Sequence, residues 1–377
     1  MPIPSDFSPT VTTVDLRALA HNLLELRRFL SPGCDVMAVV KANAYGHGAV
    51  ETAQALIHQG IVRLAVFSIE EGIVLRQAGI TVSIVILGPV FSQQVEDLFA
   101  YRLTPVVSDP AILTILGQCA ARYSSPYPIH LKIDTGMGRL GITQSELEAI
   151  LTKHALPSSL YLEGVMSHLA DSDGLESRPT EQQVNRFDLA VKVVREAGFG
   201  APLIHLANSA GIVRFPSAHY SLVRPGIMLY GYHTLPPSVR PPDVRPVLSL
   251  TTRIVQLRLI QPGETVSYNR TFMARRPTRI AVLPIGYSSG VSRHLSNRGQ
   301  VLIRGQRATI AGIVCMDMVM VDVTEVQDVA VGDEVVLIGQ QGTERITAQD
   351  IAEWTGTISY EVLCSISQKI PRLYHSS

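Results

Sequence analysis

A (β/α)8 TIM-type barrel followed by a smaller all-β domain is the fold this chain predicts, and three observations predict it. Between Asp35 and Tyr232 eight short β-rich runs alternate with helical ones. A proline-rich break from Leu235 to Pro242 ends that alternation. Beyond it the chain turns to short strands separated by turn signals, with one helix near the end. Strand–helix alternation implies parallel strands, because each crossover needs a helix, and eight such units imply a closed barrel rather than an open sheet.

The barrel strands are expected at 35–40, 63–68, 82–88, 103–108, 128–134, 162–168, 203–208 and 221–230. The helices between them are expected at 49–59, 70–78, 93–101, 111–123, 145–153, 180–197 and 209–214. After the break, strands are expected at 248–260, 278–284, 301–303, 308–323 and 334–338, with turns at Gln261-Pro262-Gly263-Glu264 and Val331-Gly332-Asp333-Glu334. Thr347-Ala348-Gln349-Asp350 reads as the N-terminus of a closing helix over 347–354. The expected domains are therefore 12–240 for the barrel and 241–377 for the β-domain, with residues 1–11 packing on the latter.

Bulk properties set limits on function. Of the 377 residues, 46 % are hydrophobic, enough for a sizeable core, and mean hydropathy is slightly positive. Lys+Arg and Asp+Glu are equal at 32 each, so no basic field exists to hold nucleic acid or an anionic membrane. The four cysteines, Cys34, Cys119, Cys315 and Cys364, are scattered, which fits reduced thiols in a cytoplasmic protein better than a disulfide framework or a zinc site. The N-terminus lacks a cationic segment followed by an apolar core, and apolar runs such as 308–316 fall far short of the roughly 18 residues a span needs. Neither a signal peptide nor a membrane segment is expected. The histidines show no metal-ligand spacing, so no metal is expected either.

Catalytic groups on such a barrel gather where strands end. Here those ends carry Lys41, Ser68, Lys132, Asp134, His168, Asn208-Ser209 and Arg224-Pro225-Gly226. Lys41 closes the apolar run Asp35 to Val40. A lysine in that place ordinarily caps a strand and reaches solvent. A desolvated lysine also loses its charge easily, and a neutral amine can form a Schiff base. The polar company at the other strand ends favours chemistry. The loops after strands seven and eight offer Ser209, Gly226 and a potential phosphate nest. Lysine plus phosphate nest suggests pyridoxal phosphate, with Arg224 reaching toward the ring nitrogen.

Gly136-Met137-Gly138-Arg139-Leu140-Gly141 matches a dinucleotide fingerprint in letters. Thr143-Gln144-Ser145-Glu146 is a capping box, however, so the helix begins after the last glycine rather than within the turn. The better reading is a loop that delivers Arg139 to an anion such as a substrate carboxylate. His130 and His205 lie within strands and read as core or rim residues; His168, at a strand end, is the better candidate. No Gly-x-Ser-x-Gly elbow is present.

In order, VVKANAYGHG, HLKIDTGMGRLG, HLANSAG, RPGIMLYG, VSYNRTF, CMDMVMVDVT and TISYEVL resemble the pyridoxal-phosphate alanine racemases of bacteria, over nearly the whole chain from Thr12 to Tyr374. The resemblance implies a barrel with a C-terminal β-domain, a homodimer with shared active sites, and racemisation of alanine by two bases, supplying D-alanine for peptidoglycan. It implies that Lys41 holds the cofactor and acts as one base, and that Tyr268 from the other subunit is the second. It places Arg224 at the pyridine nitrogen with His168 in support. Tyr45, Ser209, Gly226, Ile227 and Tyr360 would bind the phosphate, while Arg139 and the backbone of Met316 would hold the substrate carboxylate. Lys132 matches a lysine often carbamylated in the family; an unmodified Lys132 paired with Asp134 is the alternative.

The chain departs from the family pattern at several positions. Asn269 stands where glycine is usual, Ser289 where aspartate is, Ile313 where arginine often is, and Met318 where glutamine is. The closing motif reads Lys369-Ile370-Pro371-Arg372. None removes a catalytic group; Ser289 and Ile313 fall toward the entry channel and dimer rim. A racemase acting on serine or another small amino acid is the alternative enzyme, and a non-catalytic cofactor carrier the alternative class. A carrier would have no use for the second base on the β-domain.

Overall fold

The computed structural model describes residues 8–123, 126–152 and 156–376. The described residues divide into two compact units, one within Ala20–Ala44 and Ala49–Val244, the other comprising 8–19, Tyr45–Gly48 and 245–376.

The first strand, β1 (Val11–Asp15), belongs to the second unit. The expected barrel start at 12 therefore falls inside a strand of the other unit. A helix, Leu16–Arg27, follows β1. The sequence reading placed no helix there, although Leu19, Leu23 and Leu26 recur at helical spacing and are all buried.

The barrel unit holds β2 (Asp35–Val36), β3 (Ala38–Val39), β4 (Arg63–Val66), β5 (Ser83–Ile86), β6 (Thr104–Val107), β7 (Tyr127–Lys132), β8 (Leu160–Met166), β9 (Leu203–His205) and β10 (Leu222–Val223). All neighbouring pairs are parallel, and the order β2-β10-β9-β8-β7-β6-β5-β4-β3 returns to its own starting point. β2 and β3 are one strand interrupted at Met37, whose N–H bonds to the Val223 carbonyl at 2.9 Å. Eight strand segments thus form the nearly closed ring that the alternation predicts. Strand residues such as Leu64, Ile84, Val85, Leu131 and Val165 are fully buried. Burying a side chain of that kind stabilises by roughly 1.5–3 kcal/mol.

The helices lie between the strands as expected: Ala49–His58, Ile69–Gln77, Val95–Ala100, Ile112–Ala120, Gln144–Thr152, Arg178–Glu196 and Ser209–Arg214. The expected end of the fifth at 153 lies outside the described residues. The eighth strand needs correction. It stops at Val223 instead of reaching 230, and a 3-10 turn occupies Ile227–Tyr230. Pro225 has no N–H for a ladder, and Gly226 turns the chain away.

The second unit is a ten-stranded sheet. It is formed by β1 with β11 (Leu248–Arg253), β12 (Gln256–Ile260), β15 (Thr278–Leu283), β16 (Gln300–Ile303), β17 (Gln306–Ile310), β18 (Val319–Asp322), β19 (Glu334–Gln341), β20 (Glu344–Ile346) and β21 (Arg372–His375). β13 (Thr265–Val266) and β14 (Phe272–Met273) form a separate hairpin. β1 runs antiparallel to β11 and parallel to β21, so it sits inside the sheet. The unit is mainly rather than wholly β. The helix Ala348–Thr355 is opened by a Thr347/Asp350 capping box, and a second helix, Ser359–Ser365, was not expected.

Candidate active site

Lys41 follows β3 and begins a backbone feature that sequence patterns do not announce. Ala42, Asn43, Ala44 and Tyr45 all have φ between 52° and 53°, one turn of left-handed helix. Each such residue costs about 1–2 kcal/mol relative to the right-handed form, so the turn must be held by its surroundings. Glu71 does much of this. Its carboxylate accepts from the N–H of Ala42 at 2.6 Å, Phe67 at 2.7 Å and Ser68 at 3.3 Å. Asn43 Oδ1 accepts from Ala49 N at 2.8 Å, and Ala44 N donates to the Val40 carbonyl at 2.9 Å.

The strand ends bring charge together. Lys132, buried at the end of β7, feels Arg139, Arg224 and Lys41 as cations and Asp134 as the one carboxylate. Burial first and those cations next push its ammonium down to about 8. Burial, then Arg224, Arg139, Lys132 and Lys41, hold His168 well below the ordinary histidine range, so it is neutral. Arg224 is 3 % exposed. It donates to the carbonyls of Ser167 at 2.7 Å and Leu206 at 3.1 Å, to His205 Nδ1 at 2.9 Å and to His168 Nδ1 at 3.4 Å. Burial lowers Arg224 to about 9, which leaves it charged at neutral pH.

The loop after β7 explains its three glycines without a nucleotide. Asp134 Oδ1 accepts from Gly136 N at 2.9 Å and Gly138 N at 3.2 Å, tying the loop into a knot. At Gly141, φ is +139° and a Cβ would lie 2.6 Å from Asp134 N, so only glycine fits. Thr143 and Glu146 form the expected capping box: Glu146 N donates to Thr143 Oγ1 at 3.3 Å and Thr143 N to Glu146 Oε2 at 2.7 Å. Arg139 is exposed on this loop.

After β9, Asn208 caps the helix Ser209–Arg214 by accepting from Gly211 N at 2.9 Å. Ser209 Oγ accepts from Gly226 N at 2.9 Å and Met228 N at 3.4 Å, joining the two loops expected to hold phosphate. Ile227 opens the 3-10 turn beside them. Lys41, Lys132, Arg139, His168, Ser209, Arg224, Gly226 and Ile227 are all residues of the barrel unit.

The remaining predicted residues belong to the other unit. Tyr45 and Tyr360 pair there, ring centroids 6.0 Å apart. Arg372 of the closing motif donates to the Gly46 carbonyl at 2.8 Å, fixing the segment Tyr45–Gly48 in that unit. Tyr268 is 67 % exposed and Met316 is exposed as well. Asn269 takes the place of glycine at φ +57°, a conformation asparagine tolerates better than other side chains. Ser288 Oγ donates to Asp317 Oδ1 at 2.8 Å.

Sequence reasoning passed over Glu71 and Gln183. Gln183 Nε2 donates to the His168 carbonyl at 3.0 Å and to Thr135 Oγ1 at 3.1 Å. Sequence reasoning also set aside His205, which bonds directly to Arg224. The signal available for Glu71 was its place three residues after Ser68, a capping-box spacing.

Two family models match: alanine racemase, N-terminal domain, over residues 14–234, and alanine racemase, C-terminal domain, over 247–374. The alanine racemase of Halothermothrix orenii is 44 % identical over 366 residues, 97 % of each chain. A crystal structure of alanine racemase from Bacillus anthracis with bound L-Ala-P superposes with a TM-score of 0.90 at 35 % identity, covering 98 % of this chain and 96 % of that one. The Bartonella henselae alanine racemase with covalently bound pyridoxal phosphate has a TM-score of 0.87 at 29 % identity, over 97 % and 99 % of the two chains.

Proposed function

Because the chain belongs to the alanine racemase family of pyridoxal-phosphate-dependent isomerases, we propose that it divides proton transfer at the alanine Cα between Lys41 and Tyr268. The activity is the interconversion of L- and D-alanine. The observation that supports the assignment of the barrel residues is the convergence of Lys41, Arg139 and Arg224 on Lys132 at one barrel rim, where three cations act on Lys132 against one carboxylate, Asp134. Such a rim requires anions, and a phosphate-bearing cofactor with an amino-acid carboxylate supplies them.

Bound pyridoxal phosphate supplies an electron sink for the charge left when the Cα proton departs. Lys41 is its covalent attachment point. Ser209 and the backbone of Gly226 and Ile227 hold the phosphate, together with the hydroxyls of Tyr45 and Tyr360. Arg224 donates only, so it keeps a proton off the ring nitrogen, and His168, neutral, braces it. Arg139 and the backbone of Met316 orient the substrate carboxylate. Lys41 takes or returns the proton on one face. The partner subunit's Tyr268 serves the other, in a homodimer. A single base keeping its proton would mostly restore the starting enantiomer.

Lys132 is the site of carbamylation. Its neutral amine attacks carbon dioxide, an N–C bond forms and a proton leaves, which turns a buried cation into an anion beside Arg139. A cytoplasmic enzyme of this kind would feed D-alanine to peptidoglycan. Chiral analysis of products from a panel of L-amino acids tests the reading. D-alanine should dominate, and a preference for serine would overturn the substrate. Borohydride reduction should fix pyridoxyl mass on the peptide containing Lys41, and label on another lysine would overturn its role.

A further inference from the structure

Arg224 is a buried cation whose acceptors, among the described residues, are two carbonyls and two imidazoles, with no carboxylate. One of those imidazoles leads further. A guanidinium can only donate, so His205 Nδ1, 2.9 Å from Arg224 Nη1, is a lone pair. Burial first, then the charge of Arg224, holds His205 well below the ordinary histidine range, so the ring is neutral and its one proton sits on Nε2. That nitrogen is 2.8 Å from His130 Nδ1, which therefore accepts. The proton of His130 is then on Nε2, 3.1 Å from Glu163 Oε2. Every bond in the chain points the same way, from the arginine to a carboxylate.

The strands are shaped to make this chain. In the β7–β8 pairing Ile129 faces Leu162 and His130 faces Gly164, so Glu163 is the extra residue of a bulge. A bulge re-aims the side chain it carries. Opposite His130 stands a glycine, where a Cβ would lie 2.8 Å from His130 Nδ1 and 2.9 Å from Cε1. The His130 and His205 rings meet edge to face, centroids 4.9 Å apart. The hydrogen bond from His130 holds the Glu163 carboxyl below its ordinary range, and Arg63, which opens β4, adds to this.

We propose that Glu163, acting through His130 and His205, is a positioning residue for Arg224: it fixes both imidazole tautomers and sets the counter-charge of the buried guanidinium from the far end of a hydrogen-bonded line. The line stands on the contacts of this chain alone, and its effect on turnover rests on the reading that Arg224 faces the ring nitrogen. Outer carboxylates orient metal-bound histidines by the same logic, at a cost of about 10–100-fold when removed.

Histidine-selective 15N labelling of the full-length protein, with long-range nitrogen–proton spectra at neutral pH, reads the tautomers. The expected result is Nε2–H at both His130 and His205. Glu163→Gln keeps a carbonyl acceptor and should keep both tautomers. Glu163→Leu removes the acceptor, and Gly164→Ala displaces the His130 ring without touching Glu163; both should bring up the Nδ1–H form. In the cofactor-loaded enzyme Glu163→Leu should lower kcat for alanine about tenfold with KM within about twofold, and Glu163→Gln should fall between. Nδ1–H at His205 in the wild type would overturn the proposal, as would wild-type imidazole spectra in Glu163→Leu or an unchanged kcat in a folded Glu163→Leu whose tautomers are lost. The spectra need no turnover, so a wild type inactive on alanine would sink the functional reading and leave the tautomer test standing.

Discussion

Lys132 shows what a buried cation costs the fold at the residue proposed for carbamylation. It is 6 % exposed and faces three cations, which lowers its ammonium from 10.5 to about 8. A shift of that size corresponds to roughly 3 kcal/mol of penalty on the charged form. The unfolded chain binds more protons than the folded one between about 8 and 10.5, so stability should rise with pH through that window and the penalty should be complete below it. Lys132→Met should therefore raise the stability of bicarbonate-free protein at pH 7 by up to about 3 kcal/mol, and the difference from wild type should shrink toward pH 10.5. Urea titrations across pH check this. Adding bicarbonate should stabilise wild type only, with a mass gain on Lys132; equal response of the Met variant would remove the carbamylation.

At the scale of elements, the left-handed turn after Lys41 is strained backbone held in large part by one carboxylate. Glu71 satisfies three backbone donors, two from its own helix start and one from the turn. Removing it leaves those donors to water or unpaired, at about 1–3 kcal/mol. Glu71→Ala should lower the urea midpoint and weaken cofactor retention together. Ala42 is exposed and sits at φ 52°, where a glycine has no Cβ to crowd the carbonyl. Ala42→Gly should thus be neutral or stabilising by up to about 1 kcal/mol, whereas Ala42→Val should destabilise. A destabilised glycine variant would mean that the turn is not left-handed. The left-handed turn and the bulge at Glu163 share a trait: both are local departures from regular geometry that aim a side chain.

For the whole molecule, β1 matters more than its place in the chain suggests. It lies between β11 and β21, so the C-terminal sheet is built partly from the N-terminus. Residues 245–377 produced alone should fold poorly and recover on addition of a peptide spanning 8–19; a stable, unassisted fragment would show that β1 is dispensable. The proposed dimer makes a second prediction. Lys41→Ala and Tyr268→Phe chains, each inactive, should regain activity when mixed, because one of the two sites in a heterodimer would hold both bases. Mixed dimers confirmed by mass but lacking activity would place both bases in one chain.

Features that depend on local pattern are legible in the order of residues. Period-two and helical runs marked all eight barrel strands and seven helices, since burial of one face writes itself into neighbouring residues. The capping box at Thr143 and Glu146 ruled against the dinucleotide reading from the order of residues alone, because it starts the helix beyond the last glycine. The strand ends offered Lys41, Lys132, His168 and Arg224 as candidates, because a barrel puts its chemistry there, and the structure brings these four within electrostatic reach of one another. The rest depends on contacts between residues far apart in the chain. The eighth strand ended at Val223, where pairing partners and Pro225 outweighed an apolar run. β1 joined a sheet whose other strands begin beyond residue 240. His130 and His205 read as core residues because they meet each other from β7 and β9, the strands on either side of β8, 75 positions apart in the chain. A hydrogen bond between distant strands leaves no period in either one. It depends on register, and register here turns on a single extra residue, Glu163, beside the glycine that faces His130.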